Sequence, residues 1–84
     1  MKLLHFTADW CNPCKMMKPV IIDIVNERDD LEYVMINIDT DRDLTEEYDV
    51  LAVPTFVLLD EEGAILAQIS GAMPKTVFLD SLGI

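Results

Sequence analysis

The 84-residue chain is short of cysteine, glycine and basic side chains, with two, three and six of them. Two cysteines exclude a secreted scaffold stapled by several disulfides. Six Lys and Arg against sixteen Asp and Glu leave a formal net charge of −10. A surface of that sign repels nucleic acid and anionic membranes, so neither is expected as a partner. No apolar run approaches the roughly 20 residues of a bilayer-spanning helix. The opening Met1-Lys2-Leu3-Leu4-His5-Phe6 imitates the start of a signal peptide, but it is short, Asp9 follows, and no small-residue cleavage pattern comes after it. The chain therefore reads as cytoplasmic, where thiols are kept reduced. In that setting two cysteines point to redox or metal chemistry more than to a structural bridge.

What is present is apolar bulk, 51% of the residues, too much for a disordered acidic tail. The length allows one small domain, residues 1–84. Residues 2–7 read as a strand with Leu3 and His5 on one side and Leu4 and Phe6 on the other. Both sides are largely apolar, as in a central strand covered on two faces. Met17, Val20, Ile21, Ile24 and Val25 make one helical stripe, and Pro19 inside it predicts a kink. Residues 31–38 read as a second strand. The acidic residues 39–49 predict a short, solvated helix capped by Asp41 or Thr40 and anchored by Leu44 and Tyr48. Phe56-Val57-Leu58-Leu59, the turn Asp60-Glu61-Glu62-Gly63 and residues 64–69 make a hairpin. Pro74 opens a last helix, with Val77, Phe78 and Leu82 facing inward. The order β-α-β-α-β-β-α begins with a parallel pair joined by a right-handed crossover. It predicts an α/β fold, one four-stranded mixed sheet covered by helices on both faces.

Cys11 and Cys14 fall where the first helix begins. Unpaired N–H groups and the positive end of the helix dipole favour a thiolate there. The thiolate is the species that attacks a disulfide. Two cysteines three apart can close a small ring and reopen it, and Pro13 helps to fix the turn. As metal ligands they supply only half of a four-ligand zinc site; an iron–sulfur cluster shared between two chains is the remaining metal alternative.

Trp10-Cys11-Asn12-Pro13-Cys14-Lys15, the later Ala52-Val53-Pro54-Thr55-Phe56 and the loop Ser70-Gly71-Ala72-Met73-Pro74-Lys75 together resemble the thioredoxin family. The resemblance runs from residue 2 to the last helix. It lacks the opening strand and helix usual in thioredoxins, so the chain looks like a minimal, glutaredoxin-sized member. The resemblance implies a dithiol–disulfide oxidoreductase that reduces protein disulfides, a monomer without bound cofactor or metal, recycled by a thioredoxin reductase-like enzyme or by glutathione. It makes Cys11 the exposed attacking thiol and Cys14 the buried resolving one. It makes Pro54 a cis-proline facing the dithiol and Val53 a source of backbone hydrogen bonds to substrate. Trp10, Asn12, Pro13, Gly71 and Ala72 complete the substrate groove.

Three residues depart from the family pattern. Asn12 replaces a glycine, His5 stands at the position of a buried aspartate, and Met35 stands where a lysine often accompanies it. His5 is either a core histidine with satisfied ring nitrogens or the proton acceptor for Cys14. The second role rests on an imidazole titrating at its ordinary value of about 6.5. Met16, Met17 and Met35 read as core filler. Two other functions compete. A glutaredoxin-like protein would hold glutathione's carboxylates, with only Lys15, Lys18 and Lys75 near the groove. A non-catalytic binding module would use the apolar rim of Trp10, Pro54 and Ala72.

Overall fold

The structure, a computed structural model, describes residues 1–84. Its elements are β1 (Lys2–Thr7), α1 (Asn12–Glu27), β2 (Glu32–Asn37), α2 (Arg42–Glu47), β3 (Thr55–Leu59), β4 (Ile65–Ser70) and α3 (Lys75–Leu82). This is the predicted order. The four strands form one sheet in the order β2-β1-β3-β4. β1 and β2 are parallel, whereas β1–β3 and β3–β4 are antiparallel. No helix is long and apolar enough to cross a membrane.

β1 is central because both its faces are apolar. On one face Leu3 joins Met17, Ile21 and Ile24 of α1, Phe56 and Leu58 of β3, and Phe78 and Leu82 of α3. On the other, Leu4 and Phe6 join Ile36, Val57 and Leu59, closed over by Leu44 and Tyr48 at α2. Burying side chains of this size is worth about 1.5–3 kcal/mol each, which is what drives the layers together. β3 is buried at every residue, while β4, at the sheet edge, leaves Ile65 and Leu66 exposed.

Local chemistry sets the helix ends. Asp41 caps α2, its carboxylate accepting from the Leu44 N–H at 3.3 Å. α1 runs without a break through Pro19. Pro74 stands at the N-cap of α3, just before its first helical residue. Two expectations fail on the surface. Val77 is exposed, because Phe78 and Leu82, with Leu79 beside them, fill the inward side of so short a helix. Of the three methionines, only Met17 is core; Met16 faces solvent on α1 and Met35 is half-exposed on the edge strand β2.

Candidate active site

The site forms where β1 ends and α1 begins. Cys11 is the N-cap of α1 in extended conformation, and its sulfur is bonded to that of Cys14 in a disulfide. Cys14 N–H donates to Cys11 Sγ at 3.2 Å. One of the N–H groups that a helix start leaves unpaired is thus aimed at the sulfur itself. The first turn of α1 carries no acidic residue, so no side chain of the turn itself offsets the positive end of its dipole. Pro13 sits in that turn, where its missing N–H is no loss. Asn12 and Pro13 are exposed beside the disulfide.

Cys14 is 1% exposed, as expected, but Cys11 is only 3% exposed. The expectation of an exposed attacking sulfur is corrected: with Ala8, the two cysteines form a small cluster against which Ile38 and Val53 pack. Trp10 is 65% exposed, with its indole N–H donating to Asp39 Oδ2 at 3.0 Å.

Val53 leads into a cis peptide bond with the buried Pro54. The loop around it is pinned by groups that the sequence reading did not single out. Thr55 Oγ1 donates to the Ala52 carbonyl at 2.6 Å and lies 2.8 Å from Ser70 Oγ. Gly71 N–H donates to the Pro54 carbonyl at 2.9 Å. Gly71 has φ +101°, which an L side chain resists, so glycine holds this approach of the two loops. Ala72 is exposed and continues into an apolar cleft of about 340 Å³ lined by Met16, Met17, Val20, Met73 and Pro74. The structure thus brings Cys11, Cys14, Val53, Pro54, Gly71 and Ala72 into one region, with Trp10, Asn12 and Pro13 at its edge.

His5 lies beneath this region and not on its surface. It is fully buried on β1, with its ring stacked on Phe56 at 4.6 Å between centroids. Nδ1 is 2.8 Å from the Tyr33 hydroxyl, while Nε2 is buried without a hydrogen-bond partner. Burial, with the positive charge of Lys18 added, pushes the imidazole down to about 4. Burial also pushes the Tyr33 phenol up to about 12. Both side chains are therefore neutral across the physiological range. This corrects the premise that His5 titrates near neutrality. Handing it a proton from a thiol of ordinary pKa, about 8.5, is uphill by more than four powers of ten. Tyr33 was missed; its signal was the alternation along β2, which sets it on the face shared by Leu3 and His5.

No group of three or more His, Cys, Asp and Glu side chains is placed to hold a metal ion. The chain matches the thioredoxin family model over residues 1–83. The chain belongs to the thioredoxin family. Mitochondrial thioredoxin-3 of Saccharomyces cerevisiae is 38% identical over 75 residues, which are 89% of this chain and 58% of that protein. The bifunctional thioredoxin reductase/thioredoxin of Mycobacterium leprae is 36% identical over 81 residues, 95% of this chain and 18% of that one. The chain thus spans less than two thirds of both relatives. The crystal structure of oxidized yeast thioredoxin 3 superposes with a TM-score of 0.85 at 32% identity, covering 99% of this chain and 77% of that one. Within the thioredoxin pattern, the two departures inside the fold are linked. His5 and Met35 are register partners across β1 and β2. The aspartate and lysine that the resemblance leads one to expect at these neighbouring positions are both absent, and only the His5 position is buried.

Proposed function

We propose that this chain is a thiol–disulfide oxidoreductase that reduces protein disulfides, with Cys11 and Cys14 as its redox pair. The observation that carries this reading is the Cys14 N–H on Cys11 Sγ at the N-terminus of α1, whose first turn has no acidic residue. That amide and the helix dipole favour negative charge on Cys11 sulfur once the disulfide is opened. Cys11 thiolate attacks one sulfur of a substrate disulfide and the other sulfur leaves as thiolate. Cys14, losing its proton, then attacks Cys11 Sγ. The substrate departs as a dithiol and the Cys11–Cys14 disulfide remains.

The groove beside the pair suits an extended segment. No hydrogen bond within the chain uses the Val53 N–H or carbonyl, so both are free to pair with a substrate backbone as an added strand does. Trp10 and Ala72 supply apolar rim on either side. Recycling by a thioredoxin reductase-like dithiol is the reading supported by the bifunctional relative. Glutathione has weaker support. Of the three lysines that could meet its carboxylates, Lys75 is already bound to Asp23 at 2.7 Å and Glu27 at 2.8 Å.

The test is reduction of insulin disulfides driven by a small dithiol. Cys11→Ser and Cys14→Ser both fall to the uncatalysed background. Cys14→Ser still accumulates a mixed disulfide with substrate, whereas Cys11→Ser does not. No turnover above background by the unaltered chain would instead make it a binding module whose thiols are incidental.

A further inference from the structure

Two backbone N–H groups of the chain donate to sulfur. One is that of Cys14, on Cys11 Sγ. The other is that of Met73, which donates to Met17 Sδ at 3.4 Å from 56 positions away in sequence. Met17 lies on the apolar stripe of α1, 2% exposed, in the core cluster with Ile21 and Phe78. As packing alone, leucine would serve there about as well. What methionine adds is a weak acceptor, the thioether sulfur. Met73 is half-buried, and its N–H has no other partner in the chain. Leaving such a donor unpaired is costly, so the sulfur meets a need that a hydrocarbon side chain would not.

Both ends of this bond belong to the framework of the site. Met17 follows Cys14 by three residues, one turn along the same side of α1. Met73 follows Gly71 by two, and the Gly71 N–H is held by the Pro54 carbonyl at 2.9 Å. The loop is therefore tied at two points, through Gly71 to the cis-proline loop and through Met73 to the helix that carries the disulfide. Pro74, the next residue, has no N–H and makes no side-chain cap bond at the start of α3. Ala72 sits between the ties. It is exposed, and its N–H and carbonyl take no hydrogen bond within the chain, as at Val53.

We propose that Met17 is a positioning residue for the substrate segment. Its sulfur sets the Gly71–Met73 loop against the redox helix, so that Ala72 offers its free peptide groups to the same extended segment that pairs with Val53. Met17 acts through Met73 and touches neither reacting sulfur. The inference deepens the oxidoreductase reading and rests on it.

The experiment compares two reactions of the full chain. One is insulin reduction with a small dithiol as electron source. The other is direct reduction of a small aromatic disulfide, which is too short to span the loop. Met17→norleucine, made by chemical synthesis of the chain, exchanges the sulfur for a methylene and nothing else. It raises KM for insulin about threefold, the effect of losing one weak hydrogen bond. kcat and the rate with the small disulfide hold, and the Met73 amide exchanges faster with solvent. Met17→Leu repeats the change in KM. Ile21→Val trims the same core without touching a hydrogen bond, and it leaves KM and Met73 exchange as they were. An unchanged KM or an unchanged Met73 exchange in Met17→norleucine overturns the proposal, as does an equal loss on insulin and on the small disulfide. If Met17→Leu fails to fold, Met17→norleucine decides. No turnover of either disulfide by the unaltered chain would refute the oxidoreductase reading instead.

Discussion

The two faces of the sheet each bury one polar side chain, and they treat it differently. On the α2 side Thr55 pairs with Phe6 across β3 and β1, and its hydroxyl has two partners, the Ala52 carbonyl and Ser70 Oγ. On the α1 side His5 has one partner for two ring nitrogens. A satisfied hydroxyl is structurally silent: it fixes a loop and asks nothing more. A half-satisfied imidazole is a standing cost in a low-dielectric layer. Evolution of a core toward stability alone would favour an apolar residue there. The cost sits on the face that α1 covers, where His5 is stacked on Phe56.

The strongest way to break this comparison is to cut the aromatic centre of each face. Phe6→Ala and Phe56→Ala each lose about 3–5 kcal/mol, the usual effect of emptying a buried phenylalanine site. The denaturant midpoint falls with little change in slope. The milder Phe6→Leu and Phe56→Leu keep enough fold for NMR and separate the faces. Phe56 carries the His5 ring at 4.6 Å, and Phe6 packs instead against Tyr48 at 5.8 Å. Only Phe56→Leu therefore shifts the NMR resonances of the His5 ring. An equal shift from both would mean that the two faces are not separate around His5.

Acid sharpens the same contrast. The His5 ring is held near 4 in the folded chain by burial and by Lys18, against about 6.5 when unfolded. Between those values the unfolded state binds the extra proton, so stability is full above about pH 6.5 and is lost as pH falls toward 4, by about 3 kcal/mol. The groups facing the ring are the Tyr33 hydroxyl from β2, Lys18 from α1 and the uncharged Phe56 from β3. None of them offers a negative charge to the imidazolium. The check is the difference in unfolding free energy between the native chain and His5→Leu across this window. A flat difference would show that His5 is not held neutral.

Most of this architecture was legible in the sequence because strand and helix periods differ. The alternation Leu3/His5 against Leu4/Phe6 placed β1 in the centre, and the stripe from Met17 to Val25 placed α1 on it. The cysteines, Pro54 and the Gly71 loop were legible as a motif, and the fold gathers them. Other features depend on tertiary neighbours and left no local signal. Cys11 is covered because Ala8, Ile38 and Val53 converge on it from three separate segments. Met16 and Met35 are exposed because one lies off the helix stripe and the other on an edge strand. The titration of His5 was misread for the same reason: the sequence names the group, but burial and Lys18 set its proton affinity.

The smallest predicted effect tests whether the faces are independent. α2 has six residues, too few to persist as an isolated helix. It is held by Leu44 and Tyr48 against the core and by the Asp41 cap. Asp41→Ala removes the acceptor for the Leu44 N–H and costs about 1 kcal/mol. Amide exchange then speeds across residues 44–48 and stays unchanged in α1, whose cap is the Cys11 sulfur. The two sites share no side-chain partner, so their effects should add within about 0.5 kcal/mol. The equilibrium with glutathione should likewise be unaltered by Asp41→Ala. A shift there would mean that loosening α2 reaches the disulfide through the sheet, and the α1 face would no longer be a separate redox layer.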